Sequence, residues 1–364
     1  MNQSTPSTKP IAIWLLIGVV MLIIQIILGG ITRLTGSGLS ITEWDVITGT
    51  LPPLNEHAWL IEFQKYRQTP QYRLLNTDFK LSDFKFIFFW EWLHRFWARL
   101  IGVVFLIPFI GFLIQRRFSQ NMIGPLIILF LLGAMQGAVG WIMVASGLEG
   151  DAIYVKPTRL ALHFIFAMVL LCYTFWFALK LLIKEKSYVH APFLKKITIA
   201  IIALLAVQFI FGALMAGHKA APAAPTWPDI NGSFIPSYVF NRPEGFRSLI
   251  ENPVVIHFVH RMLAYLLVIG IITWSVKAFK ITASRIFSHV RIWPLILVVL
   301  QLLLGILTVL TSVYIRATRW NIFEWMAQLH QGIALLLLLS LILVLFLQRK
   351  KFVKQTHSID APVI

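Results

Sequence analysis

The sequence predicts an all-α integral membrane protein with eight transmembrane helices, arranged as two pseudo-symmetric, parallel-repeat four-helix bundles. Three observations predict it. Apolar residues make up 58% of the 364-residue chain and charged residues 13%, with a mean hydropathy of +0.78, too little polar surface for a water-soluble globule. Apolar runs of roughly 20 residues, enough to cross a hydrocarbon core about 30 Å thick, recur along the chain. Two polar marks, a histidine and the string Gln-x-x-x-Gly, alternate among those runs and repeat from one half of the chain to the other.

Taken in order, the spans fall at about 11–31, 86–114, 122–145, 160–183, 197–217, 254–276, 292–314 and 325–347, with Pro-rich or charged stretches between most of them. Residues 1–10 form an N-terminus too short and too uncharged for a cleaved targeting peptide. The first helix is therefore expected to stay as an anchor, in a bacterial cytoplasmic membrane rather than an organelle. Half of the 32 Lys and Arg, counting Lys180 at a helix end, lie in the N-terminus, the second, fourth and sixth loops and the C-terminus, against only Glu185 and Asp360. The positive-inside rule then places both termini in the cytoplasm. Topology and contact with the lipid bilayer account for the net charge of +17, so no nucleic acid is expected as a partner.

The organisation that follows is a bundle at 11–183, a linker at 184–196, a second bundle at 197–347 and a tail at 348–364. An even number of helices per unit makes the repeat parallel. The first outer loop, 32–85, is longer than its counterpart at 218–252. In it, the spacing of Trp59, Phe63 and Tyr66 fits a short amphipathic helix lying on the membrane as a lid. The single cysteine, Cys172, excludes a disulfide within the chain and reads as a small core residue.

The histidines carry the chemistry. His94 and His163 are 69 residues apart, and His260 and His330 are 70 apart. Each lies near the start of an even-numbered helix, so all four share a depth toward the outer face. An imidazole inside a bilayer is expensive, and four in register point to two copies of one site. Two facing histidines in a four-helix bundle suit axial coordination of a planar iron macrocycle, so the chain is expected to hold two haems. Zinc fits poorly, since neither HExxH nor CxxC spacing is present. His57, His190, His218, His257, His289 and His357 lack the register and read as surface, loop or supporting residues.

The Gln-x-x-x-Gly strings begin at Gln25, Gln136, Gln208 and Gln301, and mark the odd-numbered helices. They read as interhelical contacts, with Gln136 and Gln301 as candidates for a polar pocket. Arg95, Arg99, Arg159 and Arg261 are candidates for binding propionates, with anchoring at the membrane interface as the alternative for Arg95, Arg99 and Arg159. Glu91, three residues before His94, stands where the second half has His257. A carboxylate there can move a proton or stabilise positive charge at the porphyrin edge; pairing with Arg95 is the simpler reading.

The blocks GGITRLTGSGLSITEW, TGTLPPL, FKFIFFWEWLHR, RLALH, HFVHRMLAY and LHQ, in this order over nearly the whole chain, resemble the haem A synthase family. The resemblance implies oxidation of a methyl group of haem O to a formyl group by successive hydroxylations, giving haem A for terminal oxidases. It implies that His94 and His163 hold substrate haem O, that His260 and His330 hold a resident haem b, and that Glu91 is the catalytic acid. An electron-transfer partner or quinone, and haem O synthase, are the implied partners. Three departures stand out: no cysteine pair in the first outer loop, Ala98 where glycine is common, and Lys156-Pro157-Thr158 before Arg159. A di-haem b-type cytochrome fed by quinol, and a haem transporter or chaperone, are the alternatives.

Overall fold

The computed structural model describes residues 8–43, 50–239, 245–282, 284–315 and 320–349; His357, Asp360 and most of the tail lie outside them. Among the described residues the regular structure is helical. Eight helices are long and apolar enough to cross a membrane, making this a multi-pass membrane protein. In chain order the α-helices are α1 Lys9–Leu34, α2 Glu56–Arg67, α3 Pro70–Leu75, α4 Leu81–Ile114, α5 Gln120–Ala145, α6 Pro157–Leu182, α7 Pro192–Gly217, α8 Ser248–Glu251, α9 Pro253–Phe279, α10 Arg285–Val290, α11 Trp293–Thr311 and α12 Ile322–Leu347. Their starts follow local chemistry. Pro157 and Pro192 sit where a missing N–H costs nothing, Asn252 accepts from the amides of Val254 and Val255, and Asn321 with Glu324 closes a capping box.

Helix α1 packs on α4 and α6, and α5 on α6; in the second half α7 packs on α9 and α12, and α11 on α12 and α9. The halves meet through α6 with α7, α1 with α12, and α6 with α12. One continuous apolar core therefore runs through both, including Ile11, Leu15, Leu171, Leu194, Ile271, Trp274, Leu335 and Leu341. Lipid tails are as apolar as these side chains, so close packing and interhelical hydrogen bonds hold the assembly together. Gln328 donates to the carbonyl of Ile27 at 3.2 Å and Gln331 to that of Ile26 at 2.8 Å. Both amides reach α1 over Gly30, where a Cβ would fall 2.6 Å from either amide oxygen.

The long first loop departs from expectation in one respect. Helix α2 forms where the aromatic spacing predicts, but its face turns onto α4. Trp59 packs on Phe88 at 5.0 Å, and Phe63 and Tyr66 on Phe84 at 5.2 and 5.3 Å. The cause lies in α4, which starts at Leu81 rather than near 86 and offers Phe84, Ile87 and Phe88 as a buried platform. Burial pushes the Tyr66 hydroxyl up to about 12, against the effect of the 2.7 Å bond that Asn76 donates to it. Hydrogen bonds to Glu43 and Glu62 raise Lys65.

Candidate functional site: a cavity holding two histidine pairs

A cavity of about 1180 Å³ runs between the helices and is lined by His94, His163, His260 and His330 together. His163, His260 and His330 lie within the first three turns of α6, α9 and α12. His94 comes later in α4, which begins thirteen residues before it at Leu81.

Each histidine is seated by a Gln-x-x-x-Gly string on a neighbouring helix. Gln25 Nε2 lies 3.2 Å from both ring nitrogens of His94, and Gln136 Nε2 lies 3.3 Å from Nδ1 of His163. Gln208 Nε2 lies 3.3 Å from Nε2 of His260, and Gln301 Nε2 lies 3.2 Å from Nε2 of His330. The glycine four residues on clears room for the ring. A Cβ on Gly29, Gly140, Gly212 or Gly305 would stand 3.1, 2.8, 3.3 or 3.0 Å from Cε1 of its histidine. Sequence reading took the strings as interhelical contacts and singled out only Gln136 and Gln301. Gln25 and Gln208 do the same work, and the fourfold spacing was the available signal.

The chemistry of this donor set fits an iron macrocycle. The rings of His260 and His330 have centroids 6.4 Å apart. An imidazole nitrogen binds a first-row metal at about 2 Å and lies about 1 Å from its own centroid, so two axial rings on one iron stand about 6 Å apart. Nδ1 of His330 lies 3.1 Å from the carbonyl of Gln301, the contact by which a ligand histidine keeps its other nitrogen for a metal. The Oε1 atoms of Gln25, Gln136, Gln208 and Gln301 are buried and accept nothing. Gln25 and Gln136 also donate to the carbonyls of His94 and His163 at 3.2 Å, which fixes the orientation of those amides, whereas exchanging the two ends of the Gln208 amide makes its oxygen the acceptor for the Nε2–H of His260 and frees Nδ1.

The mouth of the first half is closed by charge. Glu91, 2% exposed, receives bonds on Oε2 from the amide of Ser40 at 2.7 Å, its hydroxyl at 2.7 Å and the amide of Ile41 at 2.9 Å. Its Oε1 forms an ion pair with Arg95, which also donates to the carbonyls of Ile41 and Glu43. Glu91, Arg95 and Arg99 line the cavity, with Gly36, Gly38, Leu39 and Gln71 of the long loop. Arg159 does not; it donates to the carbonyl of Ile142 at 3.0 Å and pins α6 to the end of α5. Arg261 lines the cavity, but its guanidinium clamps the preceding loop, donating to the carbonyls of Asp229, Ala224 and Thr226 at 2.7, 3.0 and 2.7 Å. Both guanidiniums are thus bonded to backbone carbonyls. His257, 1% exposed, lines the cavity with both ring nitrogens unpartnered, while His57, His190 and His289 lie on the surface.

The model of the COX15-CtaA family, described as cytochrome oxidase assembly protein, matches residues 12–342. The chain is similar to a haem A synthase of Flavobacterium psychrophilum, 40% identical over 91% of this chain and 96% of that protein. It is also similar to haem A synthases of Rhodospirillum centenum, at 40% identity over 96% and 91%, and of Cereibacter sphaeroides, at 42% over 73% and 72%.

Proposed function

The chain belongs to the COX15-CtaA family of cytochrome oxidase assembly proteins, and from that premise we propose how the two histidine pairs divide the work of a haem A synthase. The reaction is oxidation of a haem O methyl group to a formyl group. It removes four electrons from that carbon through two successive hydroxylations, and the resulting diol loses water. His94 and His163 hold the haem O, and His260 and His330 hold a resident haem b. The residues 11–183 and 197–347 form the two pseudo-symmetric bundles, with the linker and both termini cytoplasmic and the histidine pairs toward the outer face. The observation that carries the division is the unequal mouth: Glu91, Arg95 and the long loop close one half, while the matching positions of the other hold His257 and a clamped Arg261.

The resident haem b, when bound, supplies one-electron transfer to a partner or quinone. Everything else falls to side chains. Gln25 and Gln136 orient the two imidazoles that hold the substrate, and their glycines let the rings come close to the helix backbone. The loop over Glu91 keeps water from the mouth, which strengthens every charge beneath it. All the donors found on Glu91 come from Ser40, Ile41 and Arg95, a fixed anchorage. Of its two candidate roles, this favours stabilising positive charge that develops at the porphyrin edge over shuttling protons. Arg95 and Arg99, which line the cavity on the same helix as His94, are the cations assigned to substrate propionates.

The test is chemical. Purified protein in liposomes, supplied with haem O, oxygen and a quinone couple, is extracted and each porphyrin identified by mass. Haem A with retained haem b supports the assignment. Haem O recovered unchanged favours a carrier, and haem b alone with rapid quinol oxidation favours an electron-transfer cytochrome.

A further inference from the structure

We propose that the gap between α4 and α5 is a side slot for the long prenyl tail of the substrate, and that Gly102, Gly133 and Gly137 are the residues that make the first half specific for a tailed haem. This rests on the assignment of haem O to that half.

The repeat provides an internal control. Carrying the shifts of 166 (His94 to His260) and 165 (Gln136 to Gln301) along α4 and α5 puts Gly102 opposite Val268, Gly133 opposite Val298 and Gly137 opposite Leu302. All six residues line the cavity. In the second half the aliphatic side chains fill the seam: Val298 is 3% exposed and α9 packs on α11. In the first half α4 and α5 make no comparable contact, the three glycines are exposed, and a Cβ on any of them would meet nothing within 4 Å. The cavity continues past them to Leu106 and Phe130, which are 49% and 58% exposed on the apolar flank. It is therefore open sideways toward lipid.

Depth and chemistry agree with a tail rather than a second ring. Gly137 lies three residues before the glycine that seats His163, Gly133 seven before it and Gly102 eight beyond His94, so the slot extends from about 5 to about 12 Å along the helix axes from the histidines. No polar side chain is needed to receive a chain of isoprene units, and the slot offers none. The two histidine pairs share one seat design. What separates the halves for a ligand is the room beside it, and haem O differs from protohaem in carrying a prenyl chain.

The experiment gives the first half the residues of the second. Gly133→Val with Gly137→Leu is purified with its resident haem, whose unchanged low-spin spectrum reports folding, and titrated with haem O and with protohaem. The expected result is at least a ten-fold loss of affinity for haem O, with protohaem binding to the same site within about two-fold of wild type. Equal losses for both, or none for haem O, overturn the proposal. Should the double variant fail to fold, wild-type protein is labelled with haem carrying a photoreactive group at the end of its prenyl tail. Cross-links on α4 and α5 support the slot, and cross-links confined to α1, α6 or the loops overturn it. Wild-type protein that binds haem O at neither histidine pair refutes the functional assignment itself; binding and conversion with an indifferent variant refute only the slot.

Discussion

The arginine after each first histidine shows how one scaffold position serves two ends. Arg95 holds a buried carboxylate and two carbonyls of the long loop, so the loop, the charge and His94 form a single unit. Arg261 holds three carbonyls and touches no carboxylate in those bonds; it fastens a loop and leaves His257 bare. A duplicated helix thus keeps its histidine seat and changes what surrounds the seat. On the proposed division, the seat binds and the surroundings decide what binding leads to.

The sharpest way to break the comparison is to remove the histidines pair by pair. His260→Ala or His330→Ala should abolish the low-spin b-type spectrum of purified protein, whereas His94→Ala or His163→Ala should leave that spectrum and end haem A formation. Loss of the resident spectrum from a first-half variant would reverse the assignment of the halves. Next in size is Glu91→Gln, which keeps acceptors for the loop amides and removes the charge. Haem A formation should fall about 10²–10³-fold with the resident spectrum intact. Undiminished haem A in extracted pigment would leave Glu91 as a loop fastener only.

Smaller effects test the seats themselves. Gly140→Ala puts a methyl 2.8 Å from the His163 ring and Gly212→Ala puts one 3.3 Å from that of His260. The first should weaken haem binding in its half about 10–100-fold and the second only a few-fold, read by haem titration. Arg261→Gln should cost about 2 kcal/mol or more by freeing the carbonyls it clamps, seen as faster proteolysis between α7 and α9. Cutting no faster than in wild type would discount the clamp.

The smallest effect is set by pH. Hydrogen bonds from the Gly232 amide and the Thr226 hydroxyl hold Asp229 below the usual carboxylate range. Its contribution is therefore present above the ordinary value near 3.8 and is lost as pH falls through the lowered one. Acid should loosen this loop in the wild type, and Asp229→Asn should flatten that dependence in hydrogen exchange.

The helices and histidines were legible because each rests on a local, periodic signal: an apolar run of fixed length, or a polar residue where polarity is expensive. The seats were half legible. The spacing of Gln25 and Gly29 shows a shared helix face, but not that a histidine 69 residues away lies against it. The partners of Glu91 were hidden for a different reason. Two of its donors are backbone amides of Ser40 and Ile41, and backbone carries no sequence signature. The loop bonds of Arg261 were hidden because a guanidinium near a candidate haem site suits a propionate and a row of carbonyls equally well.

The glutamines of α12 that reach over Gly30 carry one more implication. His330 is followed directly by Gln331, whose amide is bonded to Ile26, the neighbour of Gln25 beneath His94. A histidine of one pair is thus tied mechanically to a histidine of the other through two hydrogen bonds. This joint leaves no cleavage plane between the halves: a chain severed at 184–196 would have to re-form it before either fragment regained its shape.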